Sequence, residues 1–224
     1  MRAMAFLMRF ATFGLAFAAV GVAQAQVILD DFTTGPDQFS VTSGVSYYGQ
    51  TGTMVGGYRG EALDIISNPF SVPLDVNILN GFSSVSEGSD MYSDVSIAYG
   101  YLASADHSSL STFDLGLNLS GENGFQLNVA YNQTPMAADI MLNNNIADVY
   151  AFTIGTSATP VNYDVAFSNF SGVDFSDIHQ ISINFTDSTS NDFTLGSFVA
   201  APEPVSVAFL GLGVIGLIAR SRRK

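Results

Sequence analysis

Cysteine and tryptophan are absent from the chain, histidine occurs twice, and seven lysines and arginines face twenty aspartates and glutamates. Each shortage narrows the function. Without cysteine there is no thiol nucleophile, no thiolate-bound zinc and no iron–sulfur cluster. A span of this length also buries enough surface to fold without disulfides. The missing tryptophan removes the strongest stacking partner for a sugar ring. Positive charge is scarcest of all in the middle. All twenty acids fall within residues 26–203, where Arg59 is the single cation, so that span carries −19 while the whole chain carries −13. Nucleic acid is excluded as a partner, because it requires a basic face. Such a surface attracts divalent cations and repels acidic polymers unless metal ions bridge them.

The remaining cations mark the two ends. Arg2 and Arg9 precede an apolar run at 10–22, and Ala23-Gln24-Ala25 follows with the small-x-small spacing cut by signal peptidase. This predicts a signal peptide over residues 1–25 and a mature start at Gln26. Thirteen residues rise only about 20 Å as a helix, short of a bilayer core of about 30 Å. At the other end, residues 205–219 hold no charge and run directly into Arg220, Arg222, Arg223 and Lys224. An apolar helix with a basic end halts in the membrane with its cations in the cytoplasm. Gly211, Gly213 and Gly216 weaken that helix and favour a transient hold over a permanent anchor.

Pro202-Glu203-Pro204, the apolar segment and the basic end together resemble the PEP-CTERM sorting signal of Gram-negative bacteria, similar in layout to sortase signals of Gram-positive cells. The resemblance covers the tail over 201–224. It implies recognition by a membrane exosortase, processing near the motif, and delivery to the cell surface or an exopolysaccharide matrix. A plain C-terminal anchor is the competing reading.

Between the ends, apolar residues alternate with polar ones at period two. Val95, Ile97, Tyr99 and Tyr101 form one such run; Phe113, Leu115, Leu117 and Leu119 another; Phe125, Leu127, Val129 and Tyr131 a third. Gly, Asn, Asp, Ser and Pro bound the runs, and no window keeps a helical period. Ten to twelve short strands, an estimate from that spacing, predict an all-β antiparallel sandwich of jelly-roll type in one domain over 26–200. The stretch 34–60, rich in Gly, Ser and Thr, gives the weakest pattern.

Asp30-Asp31-Phe32, Asn191-Asp192-Phe193 and Leu195-Gly196-Ser197-Phe198 resemble the terminal strands of carbohydrate-binding jelly rolls. That resemblance implies first and last strands lying side by side and a structural calcium held by Asp30, Asp31 and Asp192. The competing reading is acids that are solvated or cap turns. Arg59, alone among the acids, reads either as a hub gripping two carboxylates through its fork or, with Tyr58, as a contact for an acidic or hydroxylated sugar. His107 and His179 read as surface residues. The glycine pattern Gly211, Gly213, Gly216 lacks the preceding strand of a dinucleotide site, and 187–198 lacks the Gly and Glu of an EF-hand loop. No G-x-S-x-G elbow occurs. The expectation is therefore a non-enzymatic surface or matrix protein that binds or organises exopolysaccharide. A polysaccharide hydrolase or lyase and a ligand-free structural component are the alternatives.

Overall fold

The structure, a computed structural model, describes residues 26–186 and 190–202. The segments expected to be a signal peptide, residues 1–25, and a sorting tail with an apolar helix, from Glu203 onward, lie outside the described residues, as do residues 187–189. Among the described residues, no helix is long and apolar enough to cross a membrane.

In chain order the strands are β1 (Val27–Asp30), β2 (Asp37–Val41), β3 (Gly44–Thr51), β4 (Tyr58–Ser67), β5 (Leu74–Leu79), β6 (Phe82–Ser86), β7 (Tyr92–Tyr99) and β8 (Tyr101–Ala103). They continue with β9 (Leu110–Thr112), β10 (Gly124–Asn132), β11 (Met136–Leu142), β12 (Val149–Ile154), β13 (Val161–Ala166), β14 (Ile181–Thr186) and β15 (Phe193–Ala201). One sheet runs β13-β10-β15-β6-β5-β2, with β1 also on β15; the other runs β12-β11-β14-β7-β4-β3. The pairings within both are antiparallel, as period-two alternation requires when one face is wet.

Those alternating residues meet between the sheets. Leu63, Val95, Ile140 and Ile183 from one sheet join Val76, Leu127, Leu195 and Phe198 from the other in a single core. Aromatic contacts cross the interface: Phe185 to Phe193 at 5.1 Å between ring centroids, and Tyr99 to Phe198 at 6.1 Å. Each such buried side chain contributes about 1.5–3 kcal/mol by leaving water. The first and last strands lie side by side, with Val27 opposite Ala200 and Asp30 opposite Phe198.

The described residues form fifteen strands rather than ten to twelve, and Gly100 at φ 84° splits Tyr101 from the Val95–Tyr99 run. Two further segments depart from the sequence reading. The weak stretch 34–60 supplies β2 and β3, where only Phe39 and Val41 are buried, which accounts for the faint pattern. The run Phe113 to Leu119 is not a strand. Gly116 takes a left-handed φ of 54° and its N–H bonds Asp114 Oδ1 at 2.8 Å, which breaks the extended path. Only Leu117 keeps a β-bridge, to Ile178.

Candidate functional site

Arg59 is fully buried on the inward side of β4. Its Nη1 donates to Asp30 Oδ2 at 2.8 Å, its Nε donates to Glu61 Oε1 at 2.6 Å, and its Nη2 donates to Gln50. Phe32 lies against the guanidinium, 5.4 Å from its ring centroid. Tyr99 Oη donates to the same Asp30 oxygen at 3.1 Å, and the Phe32 N–H to the other at 2.8 Å. One cation thus sits between two buried acids, the hub arrangement. Burial pushes the Glu61 carboxyl up to about 7 against the opposing pull of Arg59, and its Oε2 is buried without a hydrogen-bond partner.

That network changes the reading of the terminal acids. Asp30 is 1 % exposed and already engaged by Arg59 and Tyr99. Asp31 is occupied locally by Thr33, which donates through both its N–H and its hydroxyl. Asp192 accepts from the Glu87 N–H, just before the far end of β15. With Asp30 opposite Phe198, Asp192 lies six residues along the chain, about 20 Å in strand geometry. A calcium ion with ligands at about 2.3–2.6 Å cannot join both. The sequence-level grouping of these three acids is corrected on that ground. Tyr58 lies on the outer face of β4, where its hydroxyl accepts the Ala103 N–H at 3.2 Å. Among the sorting residues, Pro202 ends the described part; Glu203, Pro204 and the basic end lie outside it.

The outward face of the β3–β12 sheet has a different character. Cross-strand register sets Tyr47, Ala62, Ser96, Asn184, Asp139 and Ala151 in one row. At about 4.8 Å per strand that row spans about 24 Å. Ser96 Oγ donates to Asn184 Oδ1 at 2.7 Å, and Asn184 Nδ2 donates to Asp139 Oδ1 at 2.6 Å. Asp64 and Asp94 stand directly opposite each other in the neighbouring row, beside Thr186 and Ala137. Burial raises the Asp139 carboxyl above its usual range, partly offset by Asn184, while Asp94 adds to the rise. Asp94 Oδ1 and Ser182 Oγ are buried without a hydrogen-bond partner.

One side of this face is walled by the β8–β9 hairpin, which folds back across β3 and β4. Glycine makes the approach feasible: a Cβ on Gly60 would touch Leu110 and Tyr101 at 3.5 Å, and one on Gly49 would fall 1.9 Å from the Tyr58 hydroxyl. The hairpin tip reaches the edge strand, where the Tyr47 N–H donates to the His107 carbonyl at 3.0 Å and the His107 ring packs on Tyr48 at 4.7 Å. Beyond the hairpin the outward side chains Ala62 and Ser96, part-exposed, and Ala137 and Ala151, exposed, are all small.

A second cluster was invisible to sequence spacing. His179 stands between Asp114 and Asp177, 65 and two residues away along the chain, with Nδ1 2.7 Å from Asp114 Oδ1 and Nε2 3.6 Å from Asp177 Oδ2. Among the described residues it is the one group of three metal-ligating side chains with ligand atoms within 4.8 Å of one another. His107 is an exposed ring outside this cluster, set against Tyr48 and 2.8 Å through Nδ1 from the Tyr47 carbonyl. Among the described residues the hydrogen-bond partners of the two imidazoles are the Tyr47 carbonyl for His107 and Asp114 for His179.

No family model and no curated protein matches the chain. Among solved structures it is similar to a family 11 carbohydrate-binding module from Clostridium thermocellum in complex with a β-1,3-1,4-mixed-linked tetrasaccharide, at 16% identity and a TM-score of 0.39, over 81% of this chain and 98% of that one. A mutant family 29 carbohydrate-binding module complexed with cellulohexaose gives 15% identity and 0.39, over 81% and 93%. The family 11 module of a cellulosomal cellulase from Clostridium thermocellum gives 15% and 0.38, over 80% and 96%.

Proposed function

We propose that this chain is an exported, non-enzymatic β-sandwich that binds a neutral polysaccharide on the outward face of the β3–β12 sheet. The observation that carries the reading is the Ser96–Asn184–Asp139 row, flanked by Asp64 and Asp94 and lying over small side chains. Every sugar hydroxyl carries an O–H donor, and a half-buried row of carboxylate, amide and hydroxyl oxygens gives those donors partners away from bulk water. Tyr47 at the head of the row offers an aromatic face to an apolar ring surface. The charge of −19 disfavours acidic glycans. Export by the signal peptide, and exosortase-type processing with delivery to the surface or exopolysaccharide matrix of a Gram-negative cell, complete the reading. They draw on residues 1–25 and on Pro202, Glu203, Pro204 and the basic end.

A second reading, glycoside hydrolysis, draws on Asp64 facing Asp94. Directly paired strand residues have Cα atoms about 4.5–5.5 Å apart, close enough for two carboxylates to flank one bond. Screening the full chain in mild detergent against glucans, mannan, alginate and xanthan tests both. Retention of neutral polymers without release of reducing ends supports binding; release of reducing ends supports hydrolysis; retention of none removes both.

A further inference from the structure

The Asp114–His179–Asp177 cluster stands apart from the sheet face and from the Arg59 hub. Its two arms are held together by backbone. Leu117 and Ile178 exchange both hydrogen bonds of a bridge, at 3.0 and 2.9 Å, and the Leu115 N–H donates to the His179 carbonyl at 3.0 Å. The His179 N–H is fixed by Asn143 Oδ1 at 2.8 Å. Beneath them, Gly100 at φ 84° leaves room for the His179 carbonyl, 2.6 Å from where a Cβ would be. Ile178 is buried, so the extended alternation turns its neighbours Asp177 and His179 together to the outside.

The two contacts to the imidazole are unlike. Asp114 Oδ1 at 2.7 Å accepts a full hydrogen bond from Nδ1, which leaves Nε2 as the ring's lone-pair nitrogen whenever the imidazole is neutral. Nε2 to Asp177 Oδ2, at 3.6 Å, is too long for a hydrogen bond. It is near the separation of two ligands on one tetrahedral ion, about 3.3–3.4 Å for bonds of about 2.0–2.1 Å. A carboxylate holding one ring nitrogen while the other faces a second carboxylate is the arrangement by which proteins orient a metal-bound histidine. The nearby Asp174 does not compete, since Oδ1 accepts both the N–H and the hydroxyl of Ser176.

We propose that His179 Nε2 and Asp177 Oδ2 ligate a divalent transition metal at the protein surface, with Asp114 positioning the imidazole through Nδ1. An imidazole nitrogen beside a carboxylate selects zinc, copper, nickel or cobalt over calcium and magnesium. The open coordination positions face solvent, where waters or a second donor complete the shell.

Zinc titration of the full chain in mild detergent, read by calorimetry and by the His179 ring nitrogen signals, tests the site. One equivalent binds, and the Nε2 resonance moves as for a coordinated nitrogen. His179→Ala abolishes this event, and Asp114→Asn weakens it about 10–100-fold with the melting temperature unchanged. Zinc uptake that is equal in His179→Ala, or that moves no ring nitrogen, is diffuse binding to an acidic surface and overturns the proposal, as does absence of saturable binding.

Discussion

Arg59 Nη1 lies 2.8 Å from Asp30 Oδ2, and this pair joins β4 of one sheet to β1 of the other inside the core. The remaining bonds of the guanidinium stay on its own sheet, to Glu61 two residues on and to Gln50 of β3. Tyr99 of β7 reaches the same Asp30 oxygen, so two strands of one sheet, β4 and β7, converge on the first strand of the other. The solitary cation of the domain is therefore a buried clamp between the sheets.

Removing that cation strands two buried carboxylates. Arg59→Ala is expected to cost about 3–5 kcal/mol, the range for breaking a buried ion pair from one side. Urea denaturation followed by tryptophan-free far-UV signals measures it, and a loss under about 1 kcal/mol would deny the clamp.

Glu61 makes the same network pH-dependent. Its folded value of about 7 stands above the ordinary 4.5 because burial disfavours the charged form. The folded state thus holds this proton more tightly than the unfolded chain. Its contribution is fully present below pH 4.5 and is lost as pH rises to about 7. Glu61→Gln keeps a neutral group there and should flatten the stability profile over that window. An unchanged slope would assign the proton elsewhere.

The hairpin wall depends on a glycine. A Cβ at Gly49 meets the Tyr58 hydroxyl and ring at 1.9–2.6 Å, so Gly49→Ala must displace the side chain whose hydroxyl accepts the Ala103 N–H. Overpacking of this kind costs about 1–3 kcal/mol. Hydrogen exchange at the Ala103 amide should quicken in the variant, and unchanged protection would show the hairpin to be held by other contacts.

The sheets and core were readable in the sequence because alternation reports the buried face directly: Val95, Ile97 and Tyr99, or Phe125, Leu127 and Val129, point where their spacing says. Phe113 to Leu119 misled because the same spacing survives around a left-handed Gly116, where side-chain pattern carries no record of backbone turn. Arg59 was legible as a hub from charge alone, since one cation among so many acids must be shared. Its partner Asp30 was not, being 29 residues away on another sheet, and was grouped instead with Asp31 and Asp192. The row Ser96–Asn184–Asp139 and the pair Asp114–His179 were hidden for a related reason: only strand register and loop bridging bring such distant residues together, and neither leaves a local motif.

The proposed glycan binding at the β3–β12 face involves few side chains, so it has a direct test. The affinity of the full chain for a neutral β-glucan is measured by isothermal titration alongside Asn184→Ala and Asp139→Ala, with melting temperatures recorded for each. A hydrogen bond to a charged group contributes about 1.5–3 kcal/mol, and about 1.4 kcal/mol is tenfold in affinity, so each variant should bind about tenfold or more weakly while remaining folded. Equal affinity in wild type and both folded variants, or no binding of any neutral glucan by the wild type, would contradict a polysaccharide site on this face.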